Sequence, residues 1–255
     1  MEENESEITK RPIHMNPDAM TPHGLALLAY FEGQVESEIT VRRDDGFEIS
    51  LPVKHFFRTA AGFSQVESNA LGLCHGHVLD IGAGTGIHSL TLQSQGLTVT
   101  AIDISPQAVE IMNKRGIKDT QQADMLNYHG GPFDTLLMLG HGIGITGDLD
   151  GLDKFLIHAQ SLIKSDGQIL LDSMDVSRSE DEKNLSYHET NRQAGRYIGE
   201  TRIQMEYRGV TGPFFCWLHV DSITLAEFAR RAGWCCEVVL EQEGGEYLAR
   251  LVQVK

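Results

Sequence analysis

Positive charge is scarce in this chain of 255 residues. Lysine and arginine number 21 against 36 aspartates and glutamates, so the formal net charge is −15. A surface of that sign repels phosphate backbones, and the two short basic runs, VRRDDG and ARRAG, are isolated from each other. The composition therefore argues against nucleic acid as a partner.

Long apolar runs and paired cysteines are also lacking. No stretch reaches the about 18 apolar residues of a membrane-spanning helix, and the acidic start MEENESEITK has no apolar signal core. Cys74, Cys216, Cys235 and Cys236 form no CxxC pair, which is typical of proteins from a reduced compartment. We expect no membrane partner and a cytoplasmic location.

The segment 1–63 predicts an extension that precedes the main domain. Residues 1 to about 15 predict a solvated tail. The segment NPDAMTPHGLALLAYFEG predicts a short helix, because an N-cap asparagine is followed by proline at the first helical position. Alternating apolar residues on both sides of Asp45-Gly46 then predict a β-hairpin.

The segment 64–255 predicts the main domain, because apolar strands alternate there with helices. HVLDI, LTVTAID, FDTLLML and GQILLDS predict buried strands, and this alternation is typical of βαβ units with a mostly parallel sheet. WCCEVVLE and EYLARLVQV predict an antiparallel hairpin at the sheet edge. An insertion at about 177–220 begins with RSEDEKN, a predicted charged loop, and continues with two predicted antiparallel strands, GRYIGETRIQMEYRG and GPFFCWLHV.

The stretch VLDIGAGTGIHSL places Gly82, Gly84 and Gly86 on alternate positions directly after a buried strand. Glycine lets the backbone approach a ligand beyond the carboxyl ends of the strands. A dinucleotide fingerprint, G-x-G-x-x-G, would need its last glycine at Ile87. The register here is G-x-G-x-G, and the carboxylate of Asp80 would repel a pyrophosphate but suit an ammonium or a sulfonium. The turn therefore predicts a cationic nucleoside ligand.

The segment VLDIGAGTG resembles motif I of the class I S-adenosylmethionine-dependent methyltransferases, and later segments follow in that family's order. The resemblance implies an α/β, doubly wound, Rossmann-like fold. Its sheet would have seven strands, mostly parallel with an antiparallel last strand. The N-terminal helix and hairpin and a β insertion after the fifth strand would be additions. It also implies S-adenosyl-L-methionine as the cofactor.

The resemblance assigns cofactor contacts position by position. Asp103, which ends VTAID, matches the acid that takes both ribose hydroxyls, and Asp124 with Met125 in ADML matches the segment beside the adenine. In full, the implied contacts are Asp80, Ile81, Gly82, Ala83, Gly84, Gly86, Asp103, Ile104, Asp124, Met125, Leu139 and Gly140.

His141, in LGHGIGI, follows the fourth strand, where the family places acceptor-facing residues. It is a candidate general base, because the ordinary pKa of histidine lies near neutrality. The alternative is a histidine that only shapes the cofactor pocket or caps the next helix. Further candidates for the pocket and its lid come from KHFFRTA and GPFFCWLHV, namely Phe56, Phe57, Arg58, Phe214, Phe215, Trp217 and His219, with Tyr30.

No metal site is predicted. His75 and His77 lack a third ligand at a sensible spacing, and Asp148 and Asp150 suit the start of a helix. We therefore expect methyl transfer to oxygen or nitrogen of a small-molecule or peptide acceptor. A non-catalytic protein that binds S-adenosylmethionine, either a sensor or a partner subunit, and a nicotinamide oxidoreductase are the alternatives.

Overall fold

The computed structural model describes residues 16–254, so the predicted tail at 1–15 lies outside the described residues. The described chain builds one seven-stranded and one five-stranded sheet. The strands are β1 (Glu38–Arg43), β2 (Glu48–Pro52), β3 (His77–Ile81), β4 (Thr98–Asp103), β5 (Thr120–Gln122), β6 (Phe133–Met138), β7 (Ile163–Met174), β8 (Glu200–Tyr207), β9 (Val210–Thr211), β10 (Phe215–Leu218), β11 (Trp234–Glu241) and β12 (Glu246–Gln253). The α-helices are α1 (Thr21–Phe31), α2 (Gln65–Leu73), α3 (Ile87–Ser94), α4 (Pro106–Lys114), α5 (Leu149–Leu162), α6 (Glu182–Gln193) and α7 (Ser222–Arg231).

The seven-stranded sheet has the order β11-β12-β7-β6-β3-β4-β5. Strands β3 to β7 pair in parallel, whereas β12 is antiparallel to both β7 and β11. The predicted fold class is therefore confirmed, with the last strand antiparallel. Strand β5 has only three residues, two of them exposed, and no apolar segment of the sequence had indicated it.

The strand order reverses at β3, which has β4 on one side and β6 on the other. Chain connections leave such a switch point in opposite directions, so a crevice opens beyond the carboxyl ends of these strands. Every residue of β3 after the first is buried, because helices cover both faces of the sheet. The rigid sheet thus fixes the position of the turn that follows β3.

Two segments far apart in sequence form the five-stranded sheet. The predicted hairpin, β1 with β2, is present, and β1 also pairs with β8, which in turn pairs with β9 and β10. All of these pairings are antiparallel. The N-terminal extension and the insertion therefore share one sheet, which we call the cap sheet.

Helix α6 corrects the prediction of a charged loop at RSEDEKN, because the helix begins within that segment. Asp181 caps it by accepting a hydrogen bond from the N–H of Asn184. Only three of its side chains are buried, so the helix has no apolar periodicity for sequence reasoning to detect. Tyr187 fastens it to the cap sheet, since its hydroxyl donates to Asp44 at 2.7 Å and accepts from the N–H of Arg202 at 3.0 Å.

No helix among residues 16–254 is long and apolar enough to cross a membrane.

The glycine turn after β3 is left-handed at each glycine, with φ of 70° at Gly82, 57° at Gly84 and 76° at Gly86. Gly86 begins α3, and a Cβ there would collide with the side chain of Ile117. Gly84 has open space where a Cβ would lie. The third glycine is thus required by packing within the core as well as by its backbone conformation.

We predict that Gly86→Ala destabilises the fold more than Gly96→Ala. Both glycines are left-handed, so each alanine costs about 1–2 kcal/mol from its conformation. Only Gly86→Ala adds overlap with Ile117, worth about 1–3 kcal/mol more, because a Cβ at Gly96 would meet nothing within 4 Å. Urea unfolding of the two variants measures the difference, and equal losses would contradict the packing role.

Candidate functional site

A cavity of about 770 Å³ lies at the carboxyl end of the seven-stranded sheet. The glycine turn and the ends of β4 and β6 line one side of it, and residues of the cap sheet line the other. Its volume is in the range of pockets that bind whole organic ligands. The structure thus brings the N-terminal extension, the core and the insertion to one space.

Asp103 is held against the glycine turn by backbone hydrogen bonds. Its Oδ2 accepts from the N–H of Gly84 and its Oδ1 from the N–H of Ser105, each at 2.8 Å. Burial raises the pKa of Asp103 above its ordinary value, although these N–H groups oppose the shift. An ionised carboxylate has about four lone-pair sites, so both oxygens retain capacity for further donors.

Asp124 and Met125 lie beside Asp103 in the cavity wall. Asp124 accepts from the N–H of Leu126 at 3.0 Å and from Nδ2 of Asn127 at 2.8 Å, so its carboxylate caps a short 3₁₀ helix. Met125 is buried and presents an apolar surface. The predicted cofactor residues that line the cavity are Ile81, Gly82, Ala83, Gly84, Asp103, Ile104, Asp124, Met125, Leu139 and Gly140.

The structure does not bring Asp80 and Gly86 to the cavity wall. Asp80 is only 2% exposed, and its Oδ2 accepts from the hydroxyl of Ser89 at 2.5 Å. Burial raises its pKa, against the opposing charge of His88. Asp80 therefore lies behind the turn and Gly86 packs against Ile117.

His141 lines the cavity in a strained backbone conformation, with φ of 57°. A left-handed conformation at a residue other than glycine needs support from its surroundings. Asp172, at the end of β7, supplies it by accepting the N–H of His141 at 2.9 Å. Nδ1 of the ring is buried and has no hydrogen-bond partner among the described residues.

His219 meets His141 from the cap sheet side, with ring centroids 5.6 Å apart and an edge-to-face arrangement. It also lines the cavity, and its Nδ1 is buried without a partner. Burial, and then the charge of His141, lowers the pKa of His219 to about 4. This imidazole is therefore neutral at physiological pH.

Other histidines surround the same space. Burial lowers the pKa of His23 to about 4, and it lowers those of His55 and His188. His88 instead bonds through Nε2 to Oε1 of Glu67 at 2.8 Å. Among residues 16–254, six histidines line the cavity: His23, His55, His88, His141, His188 and His219.

Sequence reasoning had selected only two of these histidines, because the six come from segments that are distant in the sequence. The clustering of histidine beside aromatic residues, in HFF, SYH and WLH, is the signal that could have indicated the others.

The arginine of KHFFRTA reaches the cavity but is already paired. Arg58 makes two hydrogen bonds to the carboxylate of Glu67, at 2.8 and 3.2 Å. Burial acts to raise the pKa of Glu67, but the hydrogen bond from His88 and the neighbouring donors lower this pKa to about 2. Phe56 and Trp217 also line the cavity. The remaining lid candidates, Tyr30, Phe57, Phe214 and Phe215, do not.

A group of three metal-ligating side chains lies around His141. Within residues 16–254, one ligand atom each from His141, Asp172 and Glu246 lie within 4.8 Å of one another. Burial raises the pKa of Asp172 against the charge of His141. Two carboxyl groups thus lie beside the imidazole of His141. Of the pair considered in the sequence, His77 bonds to Thr100 at 2.9 Å.

The buried imidazole of His23 predicts sensitivity to acid. Below pH 6.5 the unfolded chain takes up a proton at this side chain, whereas the folded protein does so only near pH 4. Protons therefore favour unfolding across that window, at about 1.4 kcal/mol per pH unit. In urea unfolding from pH 6.5 to 4.5, His23→Phe should lose stability less steeply than the parent. The exposed His129→Phe is the control, and parallel slopes for all three proteins would contradict the prediction.

Comparison with known proteins identifies the family of the chain. A methyltransferase-domain model matches residues 78–167. A SAM-dependent methyltransferase from Bacteroides fragilis, crystallised with S-adenosyl-L-homocysteine, is 35% identical over 94% of this chain and 98% of that chain, with a TM-score of 0.82. No curated protein matches the sequence.

More distant structures share the fold. A SAM-dependent methyltransferase from Methanosarcina mazei is 17% identical over 74% of this chain and 96% of its own, with a TM-score of 0.56. The sugar N-methyltransferase KedS8 from Streptoalloteichus is 14% identical over 79% and 92%, with a TM-score of 0.53. These two distant structures show only a shared fold, whereas the identity and coverage of the match to the Bacteroides protein also show the family. The chain belongs to the S-adenosylmethionine-dependent methyltransferases, enzymes whose cofactor is S-adenosyl-L-methionine.

Proposed function

We propose that the enzyme transfers the methyl group of S-adenosylmethionine to an oxygen or nitrogen atom of a small-molecule or peptide acceptor. The observation that carries the proposal is the continuity of the cavity. Gly84 and Asp103 line one part of it, and His141 and His219 line the part beneath the cap sheet. A cofactor and an acceptor bound there would share one enclosed space.

The residues of the cavity wall fit the cofactor. Asp103 would accept the ribose hydroxyls with its remaining lone pairs, Asp124 and Met125 would lie beside the adenine, and Gly84 leaves room for close approach. Asp80, behind the turn and bonded to Ser89, would support the turn without touching the cofactor. When bound, the cofactor supplies a methyl group that is already activated by its positive sulfur.

His141 is proposed as the general base. Asp172 accepts the backbone N–H of His141, and the carboxyl groups of Asp172 and Glu246 would lie beside the imidazolium that forms when the ring takes the proton of the acceptor. Positioning does much of the remaining work, because holding two reacting atoms in line converts a bimolecular step into a unimolecular one. The proposed reaction uses positioning and a general base, and it does not require a metal ion.

The same arrangement supports a division of the chain into a cap and a core. We propose that residues 1–63 and the insertion at about 177–220 act together as a cap over the core at 64–255. Their strands share one sheet, and that sheet contributes to the cavity wall. The four cysteines, which form no disulfide, support a cytoplasmic location, and the net charge of −15 supports an acceptor other than nucleic acid.

We expect Asp103→Ala to weaken binding of S-adenosyl-L-homocysteine by roughly 2–4 kcal/mol, because it removes charge-assisted hydrogen bonds. Isothermal titration calorimetry measures the loss, and Asp166→Ala, an exposed aspartate near the start of β7, is the matched control. Thermal unfolding of both variants separates lost binding from lost folding. Unchanged affinity in a folded Asp103→Ala protein would show that another residue holds the ribose.

We expect His141→Gln to slow methyl transfer by about 10²–10⁴ while S-adenosyl-L-homocysteine still binds. Labelled S-adenosylmethionine incubated with metabolite and peptide pools measures transfer, and His129→Gln serves as the exposed control. The deficit should shrink at alkaline pH, where the acceptor loses its proton without help. A deficit that is independent of pH would show that His141 only shapes the pocket. If the parent enzyme gives no labelled product with any pool, the proposed function is wrong.

A further inference from the structure

We propose that the acceptor is an uncharged aromatic hydroxyl compound, a phenol, bound between the imidazole pair His141–His219 and the inner face of the cap sheet. This inference rests on the proposed function and defines its substrate class. We call the part of the cavity between His141, His219 and the cap sheet the acceptor side, and the part at Gly84 and Asp103 the cofactor side. The inference is based on the charges, the imidazoles and the apolar residues of the acceptor side.

The positive side chains on the acceptor side are all paired among the described residues. Arg43 makes two hydrogen bonds to Asp45, at 2.8 and 2.9 Å, and a third to Asn184. Arg58 is bonded twice to Glu67, and Arg178 pairs with Asp175 and Glu241. An acceptor bearing a carboxylate or phosphate would therefore lose its hydration without gaining an unpaired cation, which costs free energy.

Negative side chains do not offer a site for a cationic acceptor either. Among the described residues, the carboxylates in the cavity wall are Asp103, Asp124 and Asp175. The first two belong to the cofactor side, and Asp175 is paired with Arg178. Since Asp172 and Glu246 do not line the wall, an ammonium group beneath the cap sheet would meet no carboxylate on the cavity surface and would lie beside a sulfonium that repels it. The acceptor that fits is uncharged.

Neutral imidazoles are among the polar groups that remain. His55, His188 and His219 line the acceptor side, and burial lowers the pKa of each. A neutral imidazole can donate one hydrogen bond and accept another, so it can bind a hydroxyl in either sense.

The apolar residues of the cap sheet favour a flat hydrocarbon frame. Side chains alternate between the faces of a strand, and those on the inner face reach the cavity. Trp217 pairs with Thr201 across β10 and β8, and its indole packs tightly against Gly144. Aromatic and aliphatic side chains of this kind bury an aromatic ring efficiently. The apolar side chains of the cap sheet that reach the cavity are Val41, Ile49, Leu51, Ile203, Met205 and Trp217.

The hydroxyl chemistry matches the base. A neutral hydroxyl is a weak nucleophile, so its proton must leave as the new bond forms, and a phenol with a pKa of about 10 yields it more readily than an alcohol. The acceptor oxygen forms an O–C bond to the methyl carbon, the C–S bond breaks with its electron pair on sulfur, and the hydroxyl proton passes to His141 and then to solvent. The products are a methyl ether, S-adenosyl-L-homocysteine and one proton.

The test uses three probes on one biphenyl frame with the full-length enzyme. These are 4-phenylphenol, 4-phenylbenzoate and 4-phenylbenzylammonium, titrated at neutral pH into protein saturated with S-adenosyl-L-homocysteine. We expect the phenol to bind at least about tenfold more tightly than either ion, since each ion would be desolvated without a partner. With labelled S-adenosylmethionine, mass spectrometry should find the methyl ether of the phenol alone.

A variant pair locates the binding group. His219→Phe keeps the ring but removes its hydrogen bonds, and it should weaken binding of 4-phenylphenol about fivefold to tenfold. His129→Phe, at an exposed position outside the cavity wall, should leave it unchanged. Equal effects of the two substitutions would overturn the placement of the hydroxyl beside His219.

The outcomes separate this inference from the proposed function. If S-adenosyl-L-homocysteine binds but the phenol does not bind, is not methylated, or binds no better than an ion, the acceptor class is wrong and methyl transfer stands. If S-adenosyl-L-homocysteine itself does not bind, the proposed function is wrong, and the acceptor class with it.

Discussion

One hydrogen bond, from the N–H of Gly84 to the carboxylate of Asp103, joins the two neighbouring strand ends on which the cofactor side of the cavity depends. It forms because β3 and β4 pair in parallel and in register, with Ile81 opposite Ile102. The left-handed backbone of Gly84 turns its N–H toward the next strand, a conformation that a residue with a Cβ adopts only at a cost. A carboxylate held in this way is oriented before any ligand arrives, so binding loses less side-chain entropy.

The cap sheet completes the cavity by joining pieces that the chain supplies before and after the core. Its pairing of β1 with β8 brings residues 40–43 beside residues 203–206, which gives the acceptor side a wall with regular alternation. Because backbone hydrogen bonds hold this wall on both edges of β1, its inner side chains are fixed by register and are not carried on loose loops. Helix α6 braces the same sheet through Tyr187.

The sequence predicted the features that are local. The glycine turn, Asp103 and six of the seven core strands follow from patterns within about ten residues, and the structure has all of them. Strand β5 and helix α6 were not predicted, because neither has an apolar period in its sequence and both depend on neighbouring elements for their stability. Gly86 shows another limit, because its contact with Ile117 becomes visible only when α3 and the loop after α4 are packed. The meeting of His141 with His219 likewise depends on tertiary structure.

The charges of the cavity wall suit the position that we propose for the positive sulfur of the cofactor. Protonated histidines around a sulfonium would repel it strongly in a medium of low dielectric constant. Burial keeps His23 and His219 neutral, while pairing with Glu67 and Asp45 neutralises the two nearest arginines. His141 differs from these residues, because ligand atoms of Asp172 and Glu246 lie within 4.8 Å of one of its ring nitrogens. We propose that the acceptor proton is taken up at this imidazole, because the positive charge that it would bring beside the cofactor would there have two carboxyl groups next to it.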